Sequence, residues 1–130
     1  QVMSTDLFTV HPEDIIDLAA SLMEWEHLRY VPVEDHQGHL VGLVTHRALL
    51  RMLAKGDGAK KAPVAVREIM KTDPITVAPE ASTVEAIELM RQHQVGCLPV
   101  VSKGRLVGIV TEHDFIKLAT GLPDRWLRGR

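Results

Sequence analysis

The spacing of apolar residues changes several times along the chain, and the changes follow a fixed order. A short extended segment, Phe8-Thr9-Val10, gives way to a proline two residues on. Helical spacing follows through Ile16, Ala19, Ala20 and Met23, with a weak cap signal at Asp14. Two β-rich runs come next, Tyr30-Val31-Pro32-Val33 and Leu40-Val41-Gly42-Leu43-Val44, joined by a Gly-containing turn. That is a hairpin signal. A second helix is predicted over roughly residues 47–53.

The same order then returns. Ile75-Thr76-Val77 is extended, and Ser82-Thr83-Val84-Glu85 has the Ser-x-x-Glu spacing of a capping box. Val84, Ile87 and Met90 recur at helical spacing, with Ala86, Leu89 and His93 beside them. Leu98-Pro99-Val100-Val101 and Leu106-Val107-Gly108-Ile109-Val110 form the second hairpin signal, and a helix is predicted over 114–119. A shift of 67 positions lays Met3 on Met70, Thr5-Asp6 on Thr72-Asp73, Pro12-Glu13 on Pro79-Glu80 and Leu22-Met23 on Leu89-Met90. After one deletion the shift becomes 66, and Leu40-Val41-Gly42 falls on Leu106-Val107-Gly108 and Val44-Thr45 on Val110-Thr111. The deletion sits in a turn, where a length change costs least. The chain is an internal duplication.

The expected fold class is therefore α/β (α+β), built as β-α-β-β-α twice. The first repeat spans residues 1–53, the Gly-, Ala- and Lys-rich stretch 54–66 is the linker, the second repeat spans 67–120, and 121–130 is a tail. One repeat alone buries only one face of its three strands. Two copies packed sheet against sheet would bury both. The tail carries Pro123, Trp126 and several arginines, which fit either a docking segment or a loosely ordered terminus. Trp25 on the first helix fits either a dimer contact or core packing.

Composition narrows the function classes. A chain of 130 residues with 45% hydrophobic and 25% charged residues fits one globular module. Lys and Arg (15) nearly balance Asp and Glu (17), and aromatic residues make up 4%, so neither a basic stripe nor a base-stacking platform points to nucleic acid. The single cysteine, Cys97, rules out an intramolecular disulfide and suits a reducing cytoplasm. It has no activating partner in sequence and reads as a buried, inert thiol. The apolar runs fall short of the roughly 20 residues that span a bilayer, and no signal-peptide pattern is present. The opening Gln1 fits a segment of a longer protein. Of seven histidines, His36-x-x-His39 is the close pair, and it lies in a polar turn without zinc-ligand spacing, so no metal site is expected. No Walker loop, Gly-x-Gly-x-x-Gly or nucleophile–base motif is present, so no catalysis is expected.

The duplicated order, with Gly108-Ile109-Val110-Thr111-Glu112-His113-Asp114 after the second hairpin, resembles the CBS-domain family over residues 2–119. The resemblance implies a tandem pair, or Bateman module. Its two repeats pack with pseudo-two-fold symmetry, leaving two clefts for adenosine-containing ligands such as AMP, ADP, ATP or S-adenosylmethionine. Such modules regulate an attached or partner protein, and commonly dimerise. They need no catalytic cofactor, though Mg²⁺ could accompany a nucleotide.

The resemblance also assigns residues. Thr111 and Asp114 fill the family's ribose-binding Gly-h-h-Thr-x-x-Asp element, and an ionised carboxylate suits two vicinal hydroxyl donors. In the first repeat Thr45 matches, but Ala48 replaces the acid, so unequal sites are expected. Thr-x-x-Asp is equally a helix-capping arrangement, and the two roles are compatible. Family geometry carries adenine towards Asp6, Leu7 and Phe8, with Leu28 and Tyr30 nearby. Phe8 reads equally as ordinary core. Arg29 and Arg47 are the phosphate candidates, because the guanidinium fork donates in pairs; each reads equally as a solvated surface arginine. Gly96 and His113 occupy the matching positions of the second repeat. A weaker second site would use Thr45, Thr72, Asp73 and Ile75. The competing reading is a structural dimerisation module that binds no ligand.

Overall fold

In a computed structural model, the described residues are 7–55 and 63–119. The elements run α1 (Ile16–Glu26), β1 (Tyr30–Glu34), β2 (Leu40–Thr45), α2 (His46–Ala54), a 3₁₀ turn (Val66–Glu68), β3 (Lys71–Thr72), α3 (Thr83–His93), β4 (Cys97–Ser102), β5 (Arg105–Thr111) and α4 (Glu112–Ala119). Asp6 and the tail 121–130 lie outside the described residues. Among the described residues no helix is long and apolar enough to cross a membrane.

The chain forms two compact units. Among the described residues, one takes in Leu7–Pro74 together with Lys103–Leu106, apart from the undescribed 56–62; the other takes in Ile75–Ser102 and residues 107–119. The unit boundary is not the repeat boundary. Residues 67–74 align with the second repeat, yet β3 pairs antiparallel with β2 of the first, Thr72 opposite Gly42 and Lys71 opposite Leu43. The stretch read as linker is also ordered at its end. The Val66 amide donates to the Asp14 carbonyl, the Ile16 amide to the Val64 carbonyl and the Arg67 amide to the Pro12 carbonyl. Val66 itself is fully buried. These pairings satisfy backbone groups that would otherwise be orphaned at the start of α1.

In the first unit β1 and β2 form an antiparallel pair, Tyr30 opposite Thr45 and Val31 opposite Val44, with an irregularity after Val33. The predicted extended segments survive as single parallel bridges, Val10 with Val33 and Val77 with Val100. Their hydrogen bonds repeat too. The Val10 amide donates to the Pro32 carbonyl at 3.1 Å, and the Val77 amide donates to the Pro99 carbonyl at 3.1 Å. Gly42 is required by β3: a Cβ there would stand 2.5 Å from the Met70 Sδ and 3.1 Å from the Lys71 carbonyl oxygen.

The duplication extends into the core. The second unit buries Val77, Ala86, Met90, Leu98, Val100, Val110 and Phe115. Each aligns with a core residue of the first: Val10, Ala19, Met23, Val31, Val33, Val44 and Leu49. Two predicted details change. The helices α2 and α4 start at His46 and Glu112, one and two residues earlier than the periodicity indicated. On α3 the inward face is Ala86, Leu89 and Met90, whereas Val84 is 74% exposed and Ile87 44%. The apolar band of α3 is wider than the sheet can cover, so part of it stays outside.

Local caps follow the sequence. Ser82 accepts from the Glu85 amide at 3.1 Å, and Glu85 accepts from the Ser82 amide at 2.8 Å. The α1 start has no side-chain cap. Asp14 instead accepts from the His11 amide at 2.8 Å, bracing the loop before the helix.

Candidate functional site

The β5–α4 junction brings Thr111 and Asp114 together. Asp114 Oδ2 accepts from the Thr111 amide at 2.9 Å and from its hydroxyl at 3.3 Å. The acid thus caps the start of α4 from within its first turn. Asp114 is half-buried, and Oδ1 makes no hydrogen bond among the described residues. The carboxylate is oriented and retains acceptor capacity. The expected Thr and Asp capping role is real.

The β2–α2 junction solves the same problem the other way round. Ala48 has no carboxylate, so the Thr45 hydroxyl turns to accept from the Ala48 amide at 3.1 Å. The two junctions share their backbone frame: the His46 amide donates to the Arg29 carbonyl at 2.8 Å, and the Glu112 amide to the Gly96 carbonyl at 2.9 Å. Only their side chains differ.

That frame gathers the basic candidates on the first unit. Tyr30 lies opposite Thr45 in the ladder, so Arg29 and Arg47 flank a single strand end. Both are exposed, and neither guanidinium forms an ion pair or hydrogen bond among the described residues. The first turn of α2 holds no acid, whereas that of α4 holds Glu112 and Asp114. The α2 start therefore favours an anion and the α4 start favours hydroxyl donors. His113 is exposed on α4.

The remaining candidates divide between the units. Leu7 and Phe8 are half-buried in the first unit and are not among the side chains packed on its core, whereas Leu28 is. Thr72 lies in β3 and Asp73 follows it with φ 50°, both exposed in the first unit. Ile75 packs against the core of the second. Cys97 is buried, and burial, followed by the Asp114 charge, pushes its thiol well above the usual range.

Sequence reasoning did not find a cluster at the β1–β2 turn. His36 Nε2 lies 2.6 Å from Glu13 Oε2, and its ring stacks on His11 with centroids 4.3 Å apart. The signal in sequence was the weighed pair His36 and His39, but His39 turns instead to Asp35 at 3.4 Å. Among the described residues, no group of three His, Cys, Asp or Glu side chains is arranged to hold a metal ion.

The CBS-domain family model matches residues 1–55 and again 66–121. The chain therefore belongs to the CBS-domain family, as a tandem pair. It is 36% identical over 128 residues to a CBS domain-containing protein of Dictyostelium discoideum, covering 91% of this chain and 88% of that one. Among solved structures, the CBS domain pair of protein MJ0100 in complex with 5-methylthioadenosine and S-adenosyl-L-methionine matches with TM-score 0.81 and 27% identity, covering 91% of this chain and 95% of that one. CBSX2 in complex with AMP matches with TM-score 0.78 and 27% identity, covering 92% of this chain and 93% of that one.

Proposed function

We propose that this protein is a regulatory, non-catalytic module that binds an adenosine-containing ligand and passes the binding event to a partner or attached domain. The observation that carries the reading is the Asp114 carboxylate, held by Thr111 through Oδ2, with no hydrogen bond to Oδ1 among the described residues. An oriented, acceptor-only group of this kind suits the vicinal hydroxyls of a ribose. The ligands held by the two solved CBS pairs support the ligand class.

In this reading Thr111 and Asp114 take the ribose. Arg29 and Arg47 take phosphate, and His113 contributes to the ligand contacts. Asp6, Leu7, Phe8, Leu28 and Tyr30 line the base. Phe8 suits this role because it is only half-buried and is not packed on its unit's core. A second site at Thr45, Thr72, Asp73 and Ile75 is weak or empty, because Ala48 supplies no acceptor. Mg²⁺ enters only with a nucleotide, and the unpaired thiol of Cys97 suits residence in the cytoplasm.

Calorimetric titration with AMP, ADP, ATP and S-adenosylmethionine tests the reading. At 100 times its Kd a ligand should stabilise the fold by about 2.7 kcal/mol. Absence of binding by all four at millimolar concentration would overturn it.

A second reading, self-association without a ligand, is favoured by one observation. Trp25 is 75% exposed, Leu53 65% and Ile116 62%. These helix faces suit a second copy of the chain. Sedimentation equilibrium with and without nucleotide separates the two readings, since a purely structural dimer would form and bind nothing.

A further inference from the structure

The β1–β2 turn is held from two sides, and one side is titratable. On one side, the β4–β5 turn pairs with it through backbone hydrogen bonds. The Leu40 amide donates to the Gly104 carbonyl at 3.2 Å, and the Leu106 amide to the Gly38 carbonyl at 3.3 Å. The Arg105 guanidinium donates to the Gln37 carbonyl of the same turn. On the other side, His36 reaches back to the loop before α1 and bonds Glu13 at 2.6 Å.

The surroundings of His36 favour a positive charge. From the loop before α1 it faces Glu13, Asp14 and the ring of His11. From its own turn it faces Asp35, whose carboxylate accepts from the Gln37 and His39 amides. The β4–β5 turn carries Lys103, and Arg105 follows at the start of β5, its guanidinium bonded to the Gln37 carbonyl rather than to these acids. His11 is fixed by its own bond, since its Nδ1 lies 2.7 Å from the Glu34 carbonyl oxygen and must donate to it. The Nε2–H of a neutral His36 already serves Glu13, which leaves Nδ1 to take up the proton.

We propose that His36 is a pH-responsive latch: protonated, it ties the β1–β2 turn to Glu13 by a charge-assisted bond, and deprotonated, it keeps only the weaker neutral hydrogen bond and loosens the backbone pairing with Gly104 and Leu106. This inference stands apart from the ligand-binding reading and does not depend on it. The Glu13 partnership raises the His36 pKa above 6.5 and lowers that of Glu13 below 4.5. A raised histidine contributes stability that is fully present below its unfolded pKa and lost as the pH rises through its folded pKa. The lowered acid contributes stability that is present above its unfolded pKa and lost as the pH falls through its folded pKa. The latch is thus complete between about pH 4.5 and 6.5 and weakens as the pH rises beyond that.

Nuclear magnetic resonance on the full chain tests this. The His36 ring should titrate above the ordinary histidine range in wild type, and Glu13→Gln should bring it back down. Amide exchange of Leu40 and Leu106, corrected for intrinsic rates, should slow about two- to threefold on the acid side, the modest change expected of an exposed pair. Glu13→Gln should abolish that difference while leaving the circular dichroism spectrum unchanged. A His36 titration that ignores Glu13→Gln, or protection at Leu40 and Leu106 that does not follow the charge on His36, would overturn the latch.

Discussion

Asp114 and Thr45 both accept a backbone amide at equivalent helix starts, but the bonds run in opposite directions along the chain. At one helix start the acid accepts from the preceding Thr111; at the other the Thr45 hydroxyl accepts from the Ala48 amide. The exchange follows from one side chain, since Ala48 offers no oxygen. The consequence is an oriented carboxylate on one unit and none at the equivalent position on the other.

Asp114→Ala should remove both the cap and the ligand's acceptor. Binding of AMP or ATP should weaken at least tenfold, and stability should fall by about 1 kcal/mol, the usual size of a lost cap. Asp114→Asn retains an acceptor oxygen for Thr111 and should restore most of the stability but not the affinity. Calorimetry and urea denaturation read the two effects separately.

Ala48→Asp should install the missing acceptor. The expected result is a second binding event in the titration, with stoichiometry rising towards two. Thr45 would then be able to donate to the new carboxylate as Thr111 does. An unchanged stoichiometry would count against the explanation given for the weak site.

Arg29→Gln and Arg47→Gln should weaken ATP and ADP more than adenosine, because only the phosphates need the guanidinium fork. Both residues are exposed, so the fold should be unaffected. The loss should shrink at high salt, when the wild-type contact is itself screened.

Gly42→Ala should destabilise the first unit by about 1–3 kcal/mol, the range for overpacking. The added methyl meets the Met70 thioether and the Lys71 carbonyl. Adding Met70→Ala should recover only part of this, since the carbonyl cannot move aside. Thermal unfolding checks both.

Cys97 should resist thiol reagents in the folded protein, because burial and the nearby Asp114 charge hold it protonated. A thiol raised on folding contributes stability that is present below its unfolded pKa of about 9 and lost as the pH climbs past it. Labelling at mildly alkaline pH should therefore be limited by opening of the fold. Rapid labelling under native conditions would contradict the burial.

The sequence alone determined the duplication, the order of helices and hairpins within each repeat and the Ser82–Glu85 cap. All three rest on residues near one another in the chain or on a direct comparison of the chain with itself. The Thr111–Asp114 contact was legible for the same reason, being confined to one helical turn. Tertiary structure alone decided which face of α3 turns inward. Val84 and Ile87 are as apolar as their buried neighbours, and only the position of the sheet selects Ala86, Leu89 and Met90. It also decided that β3 joins the sheet of the first unit and that His36 meets Glu13 and His11. Those partners are brought together across long stretches of chain by strand pairing and turn placement, and no local pattern of residues encodes such a meeting.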